Sequence, residues 1–183
     1  MTSNAANPAL GTLQKPLVVA GIDMTAAVCD CAASVTYRGV ERIPVPDWVK
    51  CCILGRKRQK CVEEKIAQAQ KDRGPYEERI HAPAGARYQS TKLPPGQKFC
   101  LPDFVVGTGD KPLSASQIKA IYELKTPCNK EGDPLPSIQD WDPYTLLGRT
   151  MKKCYQKAHL EGEKPRPEGI PVKAIGPTAE SCT

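Results

Sequence analysis

Two short apolar runs separated by a polar loop limit the fold of this chain more than any other feature. The first run, "CLPDFVV", covers 100–106, and the second, "IYELKTP", covers 121–127. The loop between them, "GTGDKPLSASQ", contains the glycine, proline and serine that turns require. The pattern predicts an antiparallel hairpin centred near Leu113, in which Asp103 lies opposite Glu123.

The two faces of this hairpin are both apolar. Side chains alternate between the faces along a strand, so each face follows from the sequence. One face carries Asp103, Val105, Ile121, Glu123 and Lys125, and the other carries Phe104, Val106, Tyr122 and Leu124. A sheet with two apolar faces is covered by helices on both sides. The sequence therefore predicts the α/β (α+β) fold class, with the sheet between helices.

The elements before the hairpin are less regular. "PLVVAGIDM" is expected to form a strand, and "AAVCDCAASV" forms either a short helix or a strand. Helix formers run from Asp47, a possible N-cap, to about Asp72, with a possible break near Gly55. The segment "RIHAPAGARYQSTKL" is expected to form a strand or an irregular hairpin.

A second helix is predicted after the hairpin, from Asp142 as N-cap and Pro143 as first residue to about Leu160. Its apolar residues recur at helical spacing and are Tyr144, Leu147, Met151, Cys154, Tyr155 and Ala158. Prolines cluster in the loops and near both ends of the chain. The predicted organisation is an irregular N-terminal arm at 1–15, one domain at 16–165 and a Pro-rich C-terminal tail at 166–183.

The placement of charge suggests a polyanionic partner. The 183-residue chain has a formal net charge of +6, and its basic clusters are "RKRQK" at 56–60 and "MKKCYQK" at 151–157. Such clusters fit nucleic acid, although a solvated helix face explains them as well. No apolar run approaches the roughly 20 residues that cross a bilayer, so no membrane span is expected. The first residues lack the pattern of a conventional signal peptide.

The nine cysteines do not form a zinc pattern. No C-x-x-C pair occurs, and His81 and His159 are the two histidines of the chain. A structural zinc site is therefore not expected. Many of the cysteines fall at apolar positions, which favours buried small hydrophobic residues over metal ligands. An odd number leaves at least one thiol unpaired if disulfides form within the chain, and the redox compartment stays open.

Asp103 and Glu123, opposite each other on adjacent strands, are close enough to hold one cation. Magnesium prefers oxygen ligands and keeps several waters, so two carboxylates and a substrate phosphate suit it. Lys125 follows on the same face of the strand, where it would orient a water or stabilise developing negative charge. These residue types predict a site for a hard divalent cation, Mg²⁺ (or Mn²⁺).

The residues "PD" at 102–103 and "ELK" at 123–125 resemble the motif of the PD-(D/E)xK nuclease superfamily. The resemblance covers about 47–160 and implies a restriction-endonuclease-like core, a mixed sheet of about four strands flanked by helices. It implies catalytic roles for Asp103, Glu123 and Lys125, and metal ligation by Asp103, Glu123 and the Leu124 carbonyl. A second literal match, Pro46-Asp47 with Glu63-Glu64-Lys65, falls in helical sequence, where residues i and i+2 point in different directions.

The resemblance also implies residues on the flanking helices. An acidic residue from the preceding helix usually joins the site, and Glu63 is preferred over Glu64, Glu77 and Glu78 because it lies nearer the apolar stripe. Pairing of Glu63 with a nearby lysine is the alternative. On the second helix the predicted substrate-binding residues are Lys152, Lys153, Gln156 and Lys157, with the lysines directed to backbone phosphates. Gln156 lies about 140° from Met151 around the helix, which favours a solvated glutamine over a contact with substrate.

Within this superfamily the "YELKTPCN" segment is similar to VRR-NUC-like and toxin-type nuclease domains of bacterial type VI secretion and polymorphic toxin effectors. That resemblance implies a DNA substrate, a cognate immunity protein, and secretion by a bacterial delivery system followed by action in the target-cell cytoplasm. The alternatives are a housekeeping or phage DNA-repair nuclease, a non-catalytic module that binds nucleic acid or protein, and a structural zinc protein.

Overall fold

The computed structural model describes residues 16–82, 87–143 and 145–183, so the predicted arm at 1–15 lies outside the described residues. In chain order the elements are β1 (Val18–Val19), β2 (Ile22–Asp23), α1 (Met24–Ser34), α2 (Arg38–Glu41), α3 (Asp47–Arg73), β3 (Glu78–His81), β4 (Phe104–Thr108), β5 (Ile118–Leu124), α4 (Arg149–Gln156) and β6 (Val172–Ile175). The sheet of β3 to β6 is mixed, because β6 pairs parallel to β5 and the other pairs are antiparallel. Helices cover both faces, as the α+β prediction requires.

The hairpin of β4 and β5 has the predicted register at its open end. Phe104 pairs with Tyr122 and Val105 with Ile121, which continues to Asp103 opposite Glu123. The register shifts between Val106 and Gly107, towards the loop. A Cβ at Gly107 would collide with the backbone carbonyl of Gln117, so the close approach of the two strands needs glycine there.

One face of the sheet packs against α1 and α3. The cluster on this face includes Phe104, Tyr122 and Leu124 from the sheet, with Val62 and Ile66 from α3. Helix α1 begins after Asp23, whose Oδ1 accepts a hydrogen bond from the Ala26 amide at 2.9 Å. The segment "AAVCDCAASV", predicted as either a short helix or a strand, forms most of helix α1.

Helix α3 runs without a break from Asp47 to Arg73, so the possible interruption at Gly55 does not occur. Its N-cap position is Pro46, and Asp47 is the first helical residue rather than the cap. The Asp47 carboxylate instead accepts a hydrogen bond from the Tyr37 hydroxyl at 3.2 Å. A single glycine is tolerated in a helix when packing on both sides of it compensates for its lower propensity.

The other face packs against α4 and the segments next to it. Its cluster contains Val105 and Ile121 from the hairpin, Cys154 and Tyr155 from α4, and Ala174 from β6. Helix α4 is shorter than the prediction of 142–160, because it begins at Arg149 and ends at Gln156. Gly148 precedes it with a φ of 73°, a left-handed conformation that separates the helix from the turns before it.

The segment predicted as a tail at 166–183 belongs to the folded domain. Within it, β6 completes the sheet beside β5, with Glu123 paired to Ala174. Val172 and Ala174 face one core and Ile175 the other, so the strand is buried despite the prolines that surround it. A disulfide then joins Cys182 to Cys29 in α1. The tail prediction is corrected because prolines mark only the ends of this short strand.

Eight of the nine cysteines form disulfides, and all nine lie in the described part of the chain. The pairs are Cys29–Cys182, Cys31–Cys61, Cys51–Cys128 and Cys100–Cys154. Cys52 is the free thiol and is exposed. The sequence favoured buried cysteines that act as small hydrophobic residues. That expectation is corrected, because cysteines that are buried, such as Cys100 and Cys154, also form disulfides. Within the described residues, no helix has the length and apolar character needed to cross a membrane.

Candidate active site

Asp103 and Glu123 come together where β4 begins and β5 ends. Asp103 directly precedes β4, and its Oδ2 accepts a hydrogen bond from the backbone amide of Leu124 at 2.8 Å. Glu123 precedes Leu124 in β5. The Asp103 carboxylate therefore caps the strand pair and remains beside the Glu123 carboxylate, with which it interacts directly.

The surroundings of Asp103 favour its protonated form. Burial, and then the negative charge of Glu123, raise the pKa of Asp103 to about 7. The hydrogen bond from the Leu124 amide and the charge of Lys125 act in the opposite direction. A bound cation would relieve the repulsion between the two carboxylates that contributes to the raised pKa of Asp103.

Lys125 lies on the same side of the strand as Glu123, as the alternation predicts. Its Nζ is 3.2 Å from Glu123 Oε1, and the side chains of Lys125 and Glu123 are 30% and 12% exposed. The backbone amide of Lys125 donates to the Ile175 carbonyl at 2.8 Å, which continues the pairing with β6 beyond β5. The structure thus brings together the three residues that the motif predicted as catalytic.

Tyr155 is a fourth member of this group that sequence reasoning placed only in the apolar stripe of the second helix. Its hydroxyl lies 2.9 Å from Glu123 Oε2 and 3.2 Å from the Leu101 carbonyl oxygen. Burial and the negative charge of Glu123 raise the pKa of Tyr155, which keeps the hydroxyl protonated as a donor. A tyrosine in a buried stripe needs a partner for its hydroxyl, and that requirement was the available signal.

The oxygen atoms of this group fit a hard cation of the magnesium type. Asp103 and Glu123 supply carboxylates, and the Leu124 carbonyl is the predicted third protein ligand. The described residues contain no cluster of three or more His, Cys, Asp or Glu side chains of metal-binding geometry. A cation here would therefore depend on two carboxylates, one carbonyl and water, and would compete with Lys125 for Glu123 Oε1.

The structure does not bring Glu63 to this group. Val62 and Ile66, on either side of Glu63 in α3, pack on the sheet face opposite to Glu123 and Tyr155. Glu63 Oε1 accepts a hydrogen bond from Gln59 Nε2 at 3.0 Å. A position near the apolar stripe of α3 places Glu63 on the sheet face opposite to Glu123 and Tyr155. The role predicted for Glu63 in the site is therefore corrected.

The other acidic candidates are also placed elsewhere. Glu64 is exposed on α3 and pairs with Lys60 at 3.9 Å, and Glu78 pairs with Lys119 at 2.5 Å. Glu77 is exposed before β3. The second literal match of the motif lies wholly within or next to α3, which confirms that its E-x-K is helical.

The residues predicted to bind substrate on the second helix divide into two groups. Lys152 and Lys153 are exposed on α4 and available to a ligand. Lys157 is not, because its Nζ donates to the carbonyls of Arg166 and Pro167 at 3.1 and 3.0 Å. Gln156 is half-buried beside Gly169, and its predicted contact with substrate stays a prediction.

No family model, curated protein or solved structure matches this chain.

Proposed function

We propose that this chain is a metal-dependent nuclease that hydrolyses phosphodiester bonds of DNA at the site formed by Asp103, Glu123 and Lys125. The observation that carries the proposal is the contact between two carboxylates on adjacent strands, one of which has a pKa raised to about 7, with a lysine 3.2 Å from the second. Structural ion pairs rarely place two carboxylates together in a buried site. The restriction-endonuclease-like character of the core is part of the same proposal.

Each of the three residues has a distinct task in this proposal. A divalent cation, Mg²⁺ or Mn²⁺, would lower the pKa of a bound water and neutralise charge on the scissile phosphate. Asp103 and Glu123 would bind it, together with the Leu124 carbonyl. Lys125 would leave its pairing with Glu123 and stabilise the negative charge that develops on the phosphate oxygens. The Leu124 amide keeps Asp103 in position throughout.

Helix α4 provides the predicted contact with the DNA backbone. At about 100° per residue, Lys152 lies about 60° from Tyr155 around the helix, whereas Lys153 lies about 160° away. Tyr155 faces the carboxylates, so Lys152 is the better placed of the two exposed lysines to reach a phosphate next to the scissile bond. Phosphate contacts of this kind add affinity without reading sequence.

We also propose, on the resemblance alone, that the chain is the toxic domain of a secreted antibacterial effector with a cognate immunity protein. Four disulfides favour folding in an oxidising environment, so such a domain would be cross-linked before it reached a target-cell cytoplasm. Expression in a bacterial strain with an oxidising cytoplasm, where the disulfides can form, should be toxic, and a neighbouring open reading frame should restore growth through a stable complex. Harmless expression of active enzyme would instead favour a repair or phage nuclease.

The decisive experiment incubates plasmid, linear DNA and RNA with purified protein, with Mg²⁺ and with EDTA. Cleavage that requires the metal and is lost in Asp103→Asn supports the proposal. The matched control is Asp110→Asn, because the Asp110 side chain is 98% exposed and has only a 3.7 Å ion pair with Arg79. Cleavage in EDTA, or equal activity of the two variants, would assign the cluster to a non-catalytic binding module.

A further inference from the structure

Two consecutive residues of α4 are joined to two consecutive residues before β4. Cys154 forms a disulfide with Cys100, and the Tyr155 hydroxyl lies 3.2 Å from the carbonyl oxygen of Leu101. Both cysteines are fully buried, and Tyr155 is 1% exposed. The two links meet just ahead of Asp103, so the end of the strand that carries the first carboxylate is attached directly to α4.

The Tyr155 hydroxyl also orients the second carboxylate. It lies 2.9 Å from Glu123 Oε2, while Lys125 Nζ lies 3.2 Å from Oε1. The hydroxyl has one proton and the carboxylate accepts the shorter contact, so Tyr155 is a donor to Glu123. With a donor on each oxygen, the Glu123 carboxylate has one orientation in the site.

Helix α4 by itself is too short to fix the position of Tyr155 next to Glu123. It spans 8 residues, and isolated helices of this length are unstable in water. Exposed Lys152 and Lys153 precede its buried pair, Cys154 and Tyr155, and the residues that follow the pair are half-buried. The disulfide adjoins Tyr155 in sequence, so it limits the movement of the residue that contacts Glu123.

We propose that Tyr155 is a positioning residue for Glu123 and that the Cys100–Cys154 disulfide maintains this contact, so that the competence of the site depends on that one disulfide. The proposal rests on the proposed function and names the covalent bond that supports the geometry of its site. A domain whose Cys100 and Cys154 are reduced would keep both carboxylates but lose the fixed orientation of one.

The first test compares Tyr155→Phe with Tyr88→Phe. Tyr88 is also buried in the core that contains Tyr155, but its hydroxyl lies near Leu113 and Glu163 rather than near the carboxylates. Loss of a group that orients a metal ligand typically lowers activity by about 10- to 100-fold. We expect that loss in kcat for Tyr155→Phe with KM for DNA little changed, and wild-type kinetics for Tyr88→Phe.

A readout without activity accompanies the kinetics. Carbon-13 NMR relaxation of the side-chain carboxyl groups measures the mobility of the Glu123 carboxylate in metal-free protein. Tyr155→Phe should increase that mobility, because Glu123 Oε2 loses its hydrogen bond from the Tyr155 hydroxyl. If the wild type cleaved no nucleic acid, the proposed function would fail and this measurement alone would decide the role of Tyr155. Unchanged mobility of Glu123 and unchanged kcat would overturn that role.

The second test compares two disulfide deletions, Cys100→Ala with Cys154→Ala and Cys31→Ala with Cys61→Ala. The control disulfide joins α1 to α3 on the opposite face of the sheet. At a temperature where both proteins are folded by circular dichroism, we expect kcat to fall about 10-fold or more in the first and to stay near wild type in the second. Equal activity would overturn the dependence on the disulfide. Should the first protein not fold, Tyr155→Phe decides the positioning claim.

Discussion

The Asp103 carboxylate accepts a hydrogen bond from the Leu124 amide at 2.8 Å, across the strands that carry the candidate active site. This contact takes the place of one more backbone pairing in the β4–β5 ladder, and it leaves Asp103 beside Glu123 in a half-buried position. The carboxylate thus serves the fold as a strand cap and remains an acceptor for a cation. The same arrangement brings the negative charges of Asp103 and Glu123 together, which contributes to the raised pKa of Asp103.

The pH dependence of cleavage should report the carboxylate pair. Burial and Glu123 raise the pKa of Asp103 to about 7, and the cation needs the ionised form. We expect kcat/KM to rise with pH through about 7 at low Mg²⁺. Higher Mg²⁺ should move the midpoint down, since metal and proton compete for the same oxygens. A midpoint that did not change with the concentration of Mg²⁺ would indicate a titrating group outside the site.

The stability of the metal-free protein should change when Asp103 is replaced by Asn. The folded-state pKa of Asp103 lies above its ordinary value of 3.8, so the folded protein binds more protons than the unfolded chain between those values. Its contribution to stability is full below about pH 4 and is lost as pH rises to about 7. Asp103→Asn keeps an acceptor for the Leu124 amide, and its stability relative to wild type should be on the order of 4 kcal/mol higher at pH 8 than at pH 4.

Urea unfolding in EDTA at both pH values measures this gain. The exposed control Asp110→Asn should show no comparable pH dependence of its stability difference from wild type. A stability difference for Asp103→Asn that stayed constant with pH would contradict the raised pKa.

The losses of activity caused by single substitutions in the site should not multiply when two substitutions are combined. Asp103→Ala, Glu123→Ala and Lys125→Ala are each expected to remove most activity, because they act on one cation and one phosphate. Groups that act as a unit are non-additive, so Asp103→Ala with Glu123→Ala should be little worse than either alone. Single-turnover rates under Mg²⁺ measure this, with circular dichroism to verify folding. Glu63→Ala, whose residue pairs with Gln59, serves as the acidic control and should stay near wild type. Losses that multiplied would exclude a shared site.

The two exposed lysines of α4 should differ in their effect on DNA binding. Lys152 lies on the side of Tyr155, and Lys153 points away from it. Binding of a short duplex to the inactive Asp103→Asn protein is measured over a range of salt. Lys152→Ala should reduce the dependence of log K on log salt by about 0.9, the value for one phosphate contact, while Lys153→Ala leaves it unchanged. The reverse order would place the DNA on the other side of the helix.

Local patterns in the sequence determined the hairpin and the three residues of the candidate site on one of its faces. Two apolar runs with turn chemistry between them predict a hairpin, and the alternation of side chains along each strand specifies which residues are opposite and which share a face. That information lies within about 25 neighbouring residues, so no distant contact is needed to find Asp103, Glu123 and Lys125. The α+β class followed for the same reason, from two apolar faces on one hairpin.

Only the tertiary structure decided what covers each face. The helical pattern locates Glu63 and Tyr155 on their helices, but the face of the sheet against which each helix packs depends on contacts distant in sequence. Nine cysteines allow many pairings, and the fold selects the one that places Cys154 beside Cys100. The strand at 172–175 is too short and too close to prolines to be distinguished from a tail, and pairing with β5 forms it. Residues far apart in the chain meet because burial of both sheet faces, which is non-local, brings them together.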